Sequence, residues 1–170
     1  TELSARINLR LGDGLAPLEE HEADAIALCG MGGMLMAEIL SAAPVPLMGA
    51  KKVVLQPMRG VSAIRAYLYA QGYRVEEDCV VEDAGRLYQV FSATIGKEDP
   101  PPAYWPNGCM RVGFKAADDP LFLRLVQSKR RQYEARLLEA NGTRGEDILN
   151  EKAAQMRQIE EAIQCGWKYS

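Results

Sequence analysis

An α/β domain over residues 1–99, a linker over residues 100–120 and an α-helical hairpin over residues 121–170 are the organisation this sequence predicts. Three features point to it. Strand-like and helix-like apolar patterns alternate through the first hundred residues. The stiff run Asp99-Pro100-Pro101-Pro102 interrupts them. Two helical apolar stripes follow, separated by Asn141-Gly142-Thr143.

Ile7 to Leu11 alternates as a short strand would and runs into Gly12-Asp13-Gly14. Ala25 to Cys29 is a second strand, closed by Gly30-Met31-Gly32-Gly33, and Lys52 to Leu55 is a third, closed by Gln56-Pro57. Between them, Met34 to Leu40 and Ser62 to Gln71 place apolar residues at helical spacing, and Gly72 stops the latter. This βαβα order implies a parallel sheet covered by helices. Tyr73 to Val81 and Leu87 to Ile95 are separated only by Glu82-Asp83-Ala84-Gly85, too little for a helix, so they are expected to form an antiparallel hairpin at the end of the sheet.

The second part begins with Asp119-Pro120, an N-cap followed by proline at the first helical position. A helix from about Leu121 to Ala140 carries Phe122, Val126, Tyr133 and Leu137 on one stripe; another from Glu146 to about Cys165 carries Leu149, Ala153, Met156, Ile159 and Ile163, extending to Trp167. Two such helices joined by a short turn make an antiparallel, coiled-coil-like hairpin.

Composition removes several function classes. The 170 residues are 48% apolar and 25% charged, ordinary globular material. No apolar run approaches the roughly 20 residues that cross a bilayer, and Thr1-Glu2-Leu3-Ser4 carries no targeting pattern, so a soluble, cytoplasmic protein is expected. Cys29, Cys79, Cys109 and Cys165 lie far apart, without zinc spacing or a disulfide framework, and His21 is the only histidine. Neither a metal site nor a histidine-based triad is expected. Charge is distributed unevenly: residues 1–99 hold 9 basic and 14 acidic side chains, residues 100–170 hold 11 and 9. Arg111 to Arg136 carries seven basic residues against three acidic, a cluster that can neutralise phosphates or simply form a solvated helix face.

In open α/β sheets ligands bind beyond the carboxyl ends of the strands, which is where GDG, GMGG and QPM fall. Asp13 can accept hydrogen bonds from an amino or hydroxyl group, the glycines let a helix N-terminus approach a ligand, and Gln56 offers a two-sided amide beside the stiff Pro57. Each also has a plain structural reading, as turn, packing point or strand stop. A dinucleotide fingerprint is a poor fit, because Leu35 stands at the sixth position from Gly30 and the next strand ends in Gln56 instead of an acid.

The runs RLGDGLAPL, ADAIALCGMGGMLMAEIL, VVLQPM, GRLYQV and DDPLFLRLV together resemble the bacterial tRNA adenine-22 N1-methyltransferase family over essentially the whole chain. The resemblance implies an S-adenosylmethionine-dependent enzyme: a Rossmann-like class I methyltransferase domain followed by a helical domain that helps grip tRNA. It implies that Asp13 and Gly14 face the cofactor's adenine, that Gly30, Met31, Gly32 and Gly33 lie beside the transferred methyl and the target base, and that Gln56 and Pro57 flank the same pocket. Gly30 and Met31, through their backbone carbonyls, are the catalytic candidates. Met58 stands where the family often has Asn. Lys129, Arg130, Arg131 and Arg136 are the candidate tRNA contacts, and Tyr88 is a candidate for stacking on a base.

The same resemblance implies that two βα units, roughly 60 residues at about 30 per unit, are missing ahead of Thr1. The chain is therefore expected to be a fragment, inactive alone, with an uncovered sheet edge through which it self-associates. Two alternatives are a methyltransferase with another acceptor and a non-catalytic RNA- or protein-binding module built on a Rossmann remnant.

Overall fold

The computed structural model describes residues 6–43, 49–96, 119–140 and 145–164. Residues 100–118 of the expected linker, the Asn141-Gly142-Thr143 break, Cys109, Cys165 and Trp167 lie outside them, while the linker's last two residues, Asp119 and Pro120, are described. Four strands form one sheet in the order β1-β2-β4-β3: β1 (Ala25–Gly32), β2 (Lys52–Arg59), β3 (Tyr73–Asp83) and β4 (Arg86–Ile95). Helix α1 (Gly33–Ala42) connects β1 to β2, which run parallel, and α2 (Val61–Ala70) connects β2 to β3. β3 and β4 form the expected antiparallel hairpin through a two-residue turn, Ala84 and Gly85, both at positive φ, the geometry that matches strand twist.

Both β1 and β2 extend beyond the predicted ends, because their glycine and Gln-Pro segments pair with each other, Cys29 with Gln56 and Met31 with Pro57. The predicted strand Ile7 to Leu11 is not one. It runs as irregular chain with Leu9 90% exposed, since no described strand lies beside it to complete a ladder. The outer edge of β1 is likewise unpaired among the described residues.

Ile26 and Leu28 of β1, Val53 and Leu55 of β2, and Phe91 and Ala93 of β4 are buried in one cluster with Met36 and Leu40 of α1 and Ile64 and Leu68 of α2. Period-2 strands and period-3.6 helices thus bury complementary faces, each large side chain contributing about 1.5–3 kcal/mol. In β3 the alternation breaks at Glu76, an extra residue between the pairs Val75 with Ala93 and Glu77 with Ser92. That bulge turns Asp78 to the face of Phe91, its cross-strand partner, where Arg65 of α2 meets it.

Helix α3 (Pro120–Ala140) and helix α4 (Glu146–Gln164) form the predicted hairpin. Asp119 Oδ1 accepts the Leu121 N–H at 2.8 Å, the N-cap that the Asp-Pro pair signals. Asp119→Ala is expected to cost about 1 kcal/mol in urea unfolding; an unchanged midpoint would show that water replaces the cap. Phe122, Leu125 and Val126 pack with Val80 of β3 and with Met156 and Ile159 of α4, so the start of α3 is docked on the sheet. Arg124 grips Glu82 with two hydrogen bonds of 2.7 Å and holds that carboxyl below its usual range. Toward its end α3 leaves the sheet, and Leu138 is 87% exposed.

Candidate functional site

The glycine turn and the Gln-Pro segment meet at the carboxyl ends of the two parallel strands. Gly30 sits at φ +78°, a conformation that side chains resist, and a Cβ there would meet nothing within 4 Å. Its glycine therefore serves backbone conformation and leaves open space beside the turn. Gly30 N–H donates to Gln56 Oε1 at 2.9 Å, while Gln56 Nε2 lies 3.5 Å from Met58 Sδ. Gln56 thus fixes the glycine turn from across the ladder. Gln56→Leu is expected to remove about 1 kcal/mol of stability and to speed amide exchange at Gly30; unaltered protection there would mean the turn is held by other contacts.

Gly33 has a different reason. A Cβ on it would overlap the Gly60 carbonyl, so α1 and α2 start in close backbone contact. Two helix N-termini consequently lie side by side at the strand ends. Gly32 needs no such approach, its nearest neighbour being the Arg59 side chain at 3.4 Å.

Asp13 lies in an exposed turn, Gly14 packing against Ile39 of α1, with Leu15 buried in the core beneath. Its carboxylate makes no hydrogen bond or ion pair among the described residues. The structure therefore joins GMGG to QPM directly, while GDG approaches them through α1.

A cleft of about 600 Å³ opens on the other side of Gln56, Pro57 and Met58, walled by the β3–β4 turn and by α3. Its origin lies in the pairing of the sheet. Pairing of β2 with β4 stops at Leu55 with Phe91; two residues on, Pro57 has no N–H to offer a ladder, and the strands part. Tyr88, the stacking candidate, lines this cleft, as do Lys129 and Arg131. Neither cation has an ion pair among the described residues. Arg130 is oriented otherwise: it lies 3.1 Å from Glu160 of α4 and 3.8 Å from Glu134, in the seam between the helices instead of on the outside. Arg136 is exposed farther along α3. Gln89 and Arg124 also line the cleft and were missed in the sequence, where a glutamine inside a strand pattern carries no signal. Among the described residues no group of His, Cys, Asp and Glu could hold a metal ion, and no helix is long and apolar enough to cross a membrane.

A parallel β1–β2 pair, an antiparallel hairpin inserted in the order 1-2-4-3, and a glycine turn beside a Gln-Pro strand end define a Rossmann-like methyltransferase domain with an added helical hairpin. A family profile for a methyltransferase domain matches residues 1–91. The chain belongs to that methyltransferase family. A tRNA (adenine(22)-N(1))-methyltransferase of Bacillus subtilis is 39% identical over 97 residues, covering 57% of this chain and 41% of that enzyme. The solved structure of the B. subtilis m1A22 tRNA methyltransferase TrmK superposes with a TM-score of 0.70 at 28% identity, over 96% of this chain and 71% of that one. A Streptococcus pneumoniae protein described as a candidate tRNA (m1A22) methyltransferase, in complex with S-adenosyl-L-methionine, gives a TM-score of 0.72 at 24% identity, over 89% and 67%. The aligned part of this chain thus spans about two fifths of its curated relative's length.

Proposed function

We propose that this chain serves an S-adenosylmethionine-dependent methyltransferase that modifies N1 of an adenine in tRNA, the position-22 adenine by similarity to the B. subtilis enzyme. The observation that carries the reading is the Gly30 N–H to Gln56 Oε1 bond, which holds a glycine turn open beside a Gln-Pro strand end in a chain 39% identical to that enzyme over 97 residues. The open space at Gly30 fits a ligand close to the backbone. Asp13, Gly14, Gly30, Gly32, Gly33, Gln56 and Pro57 would form this chain's wall of the cofactor site, and the bound cofactor supplies an electrophilic methyl group. Gly33 would act mainly by fixing where α1 begins.

Adenine N1 carries its own lone pair, so the protein need not create a strong nucleophile; its task is to hold an unstacked base in line with the methyl donor. Positive charge spreads over the ring as N1 is alkylated, and the backbone carbonyls of Gly30 and Met31 are suited to stabilise it near the exocyclic amino group. Lys129 and Arg131, beside the cleft, and Arg136, farther out, would meet tRNA phosphates; Arg130 would contribute through its seam with Glu160. The β1 edge, unpaired among the described residues, supports self-association of this chain when it is studied alone. A monomer by light scattering would remove that part of the proposal.

The deciding experiment is transfer of labelled methyl from S-adenosylmethionine to unmodified tRNA by the native full-length polypeptide, with mapping of the product. N1-methyladenine at position 22 is expected; methyl incorporation into protein or small molecules but not tRNA would reassign the acceptor.

A further inference from the structure

Of the four glutamines that line the cleft, the two on strands, Gln56 and Gln89, differ in one respect. Gln56 has its amide engaged at both ends, by Gly30 N–H and Met58 Sδ. Gln89 is only 4% exposed, and its Nε2 is buried with no hydrogen-bond partner among the described residues. An unsatisfied buried amide is destabilising unless a ligand completes it. Gln89 pairs across the hairpin with Val80 and shares a strand face with Leu87 and Phe91. Along that face, Arg65 of α2 covers Phe91, and α3 packs on Val80. Gln89 therefore lies in the gap between the two helices, where the parting of β2 from β4 opens the cleft.

The surroundings favour a planar, neutral, hydrogen-bonding group attached to an anionic chain. Pro57, Val61 and Leu125 give the cleft apolar walls. Arg86, Lys129 and Arg131 line it without ion pairs among the described residues. Its volume of about 600 Å³ is that of a small-ligand pocket.

We propose that Gln89 reads the target base: its amide pairs with the N6–H and N7 edge of adenine, Oε1 accepting from N6–H and Nε2 donating to N7. This rests on the adenine-N1 methyltransferase reading above. The chemistry makes the edge specific. The reacting N1 must stay free of protein donors, so recognition has to come from the opposite side of the ring, and a glutamine amide is the side chain that complements that edge in two bonds. Guanine, with acceptors at both O6 and N7, leaves Oε1 facing an acceptor. The free cations hold the flanking phosphates while the apolar walls cover the ring.

The test uses the native full-length polypeptide and two tRNA transcripts, with adenine or 7-deazaadenine at the target position. The second replaces N7 by C–H and keeps N1. Any intrinsic effect of that change on N1 is common to all protein variants and cancels when their penalties are compared. The 7-deaza penalty in kcat/KM is expected to be about tenfold larger in the native protein than in Gln89→Leu. On the adenine transcript Gln89→Leu should lose about 10- to 100-fold while melting no lower than the native protein, because it removes an unpartnered buried amide. Gln89→Met replaces it should Gln89→Leu not fold. Equal 7-deaza penalties in native and variant proteins, with adenine still methylated, would overturn the base-reading role and leave the methyltransferase reading intact. Failure of the native protein to methylate either transcript would overturn both.

Discussion

Gly33→Ala is expected to lower stability by about 3 kcal/mol and methyl transfer to tRNA about a hundredfold. The added methyl group would overlap the Gly60 carbonyl, an atom of a backbone fixed by the start of α2, so neither partner has a side-chain rotamer to yield. Relief requires α1 to move away from α2, and α1 begins one residue after the strand that ends in the glycine turn. Packing and the proposed chemistry are therefore coupled at this position. Gly30→Ala supplies the contrast. It meets no neighbour, and its cost is the left-handed backbone alone, about 1–2 kcal/mol. Urea unfolding of the two variants separates overlap from conformation. A Gly33→Ala protein as stable as the native one would mean that the two helix starts are not rigidly apposed.

Asp78→Ala is expected to cost about 3–5 kcal/mol, a large part of a typical domain's 5–15 kcal/mol. Arg65 and Asp78 meet in a two-pronged ion pair of 2.8 and 2.9 Å, their side chains 1% and 0% exposed, and the guanidinium lies 4.2 Å from the centre of the Phe91 ring. Removing the carboxylate leaves a guanidinium in the core without its counter-charge. The double change Arg65→Met with Asp78→Leu removes both charges and should recover most of the loss, since well-packed apolar groups often replace a buried pair at little cost. If the double variant is as unstable as Asp78→Ala, the pair is contributing through register of the bulged strand instead of through charge compensation.

Those two sites differ in how far they could be read from the chain. The close packing at Gly33 was foreseeable as one reading of three glycines in four positions before a helix, though not the identity of its neighbour. The ion pair was hidden. Simple alternation through Tyr73 to Val81 turns Asp78 to the same side as Glu76 and away from Val75, and only the extra residue at Glu76 reverses it. Arg65 likewise reads as an ordinary charge on the outside of an amphipathic helix until a partner 13 residues away appears beneath it.

Local chemistry by itself determined the order of elements from β1 onward, the Asp119 cap and the hairpin turn at Ala84 and Gly85. Each is fixed by periodicity, capping or turn geometry acting over a few residues. Tertiary structure alone decided that Ile7 to Leu11 lies beside no strand among the described residues, that the glycine turn meets Gln56, that Arg130 turns to Glu160, and that Pro57, Gln89 and α3 enclose a cleft. The reason is range. Arg124 reaches Glu82 across 42 residues and Gln56 reaches Gly30 across 26, and a side chain's partner at such distance depends on the register, bulges and docking of whole elements.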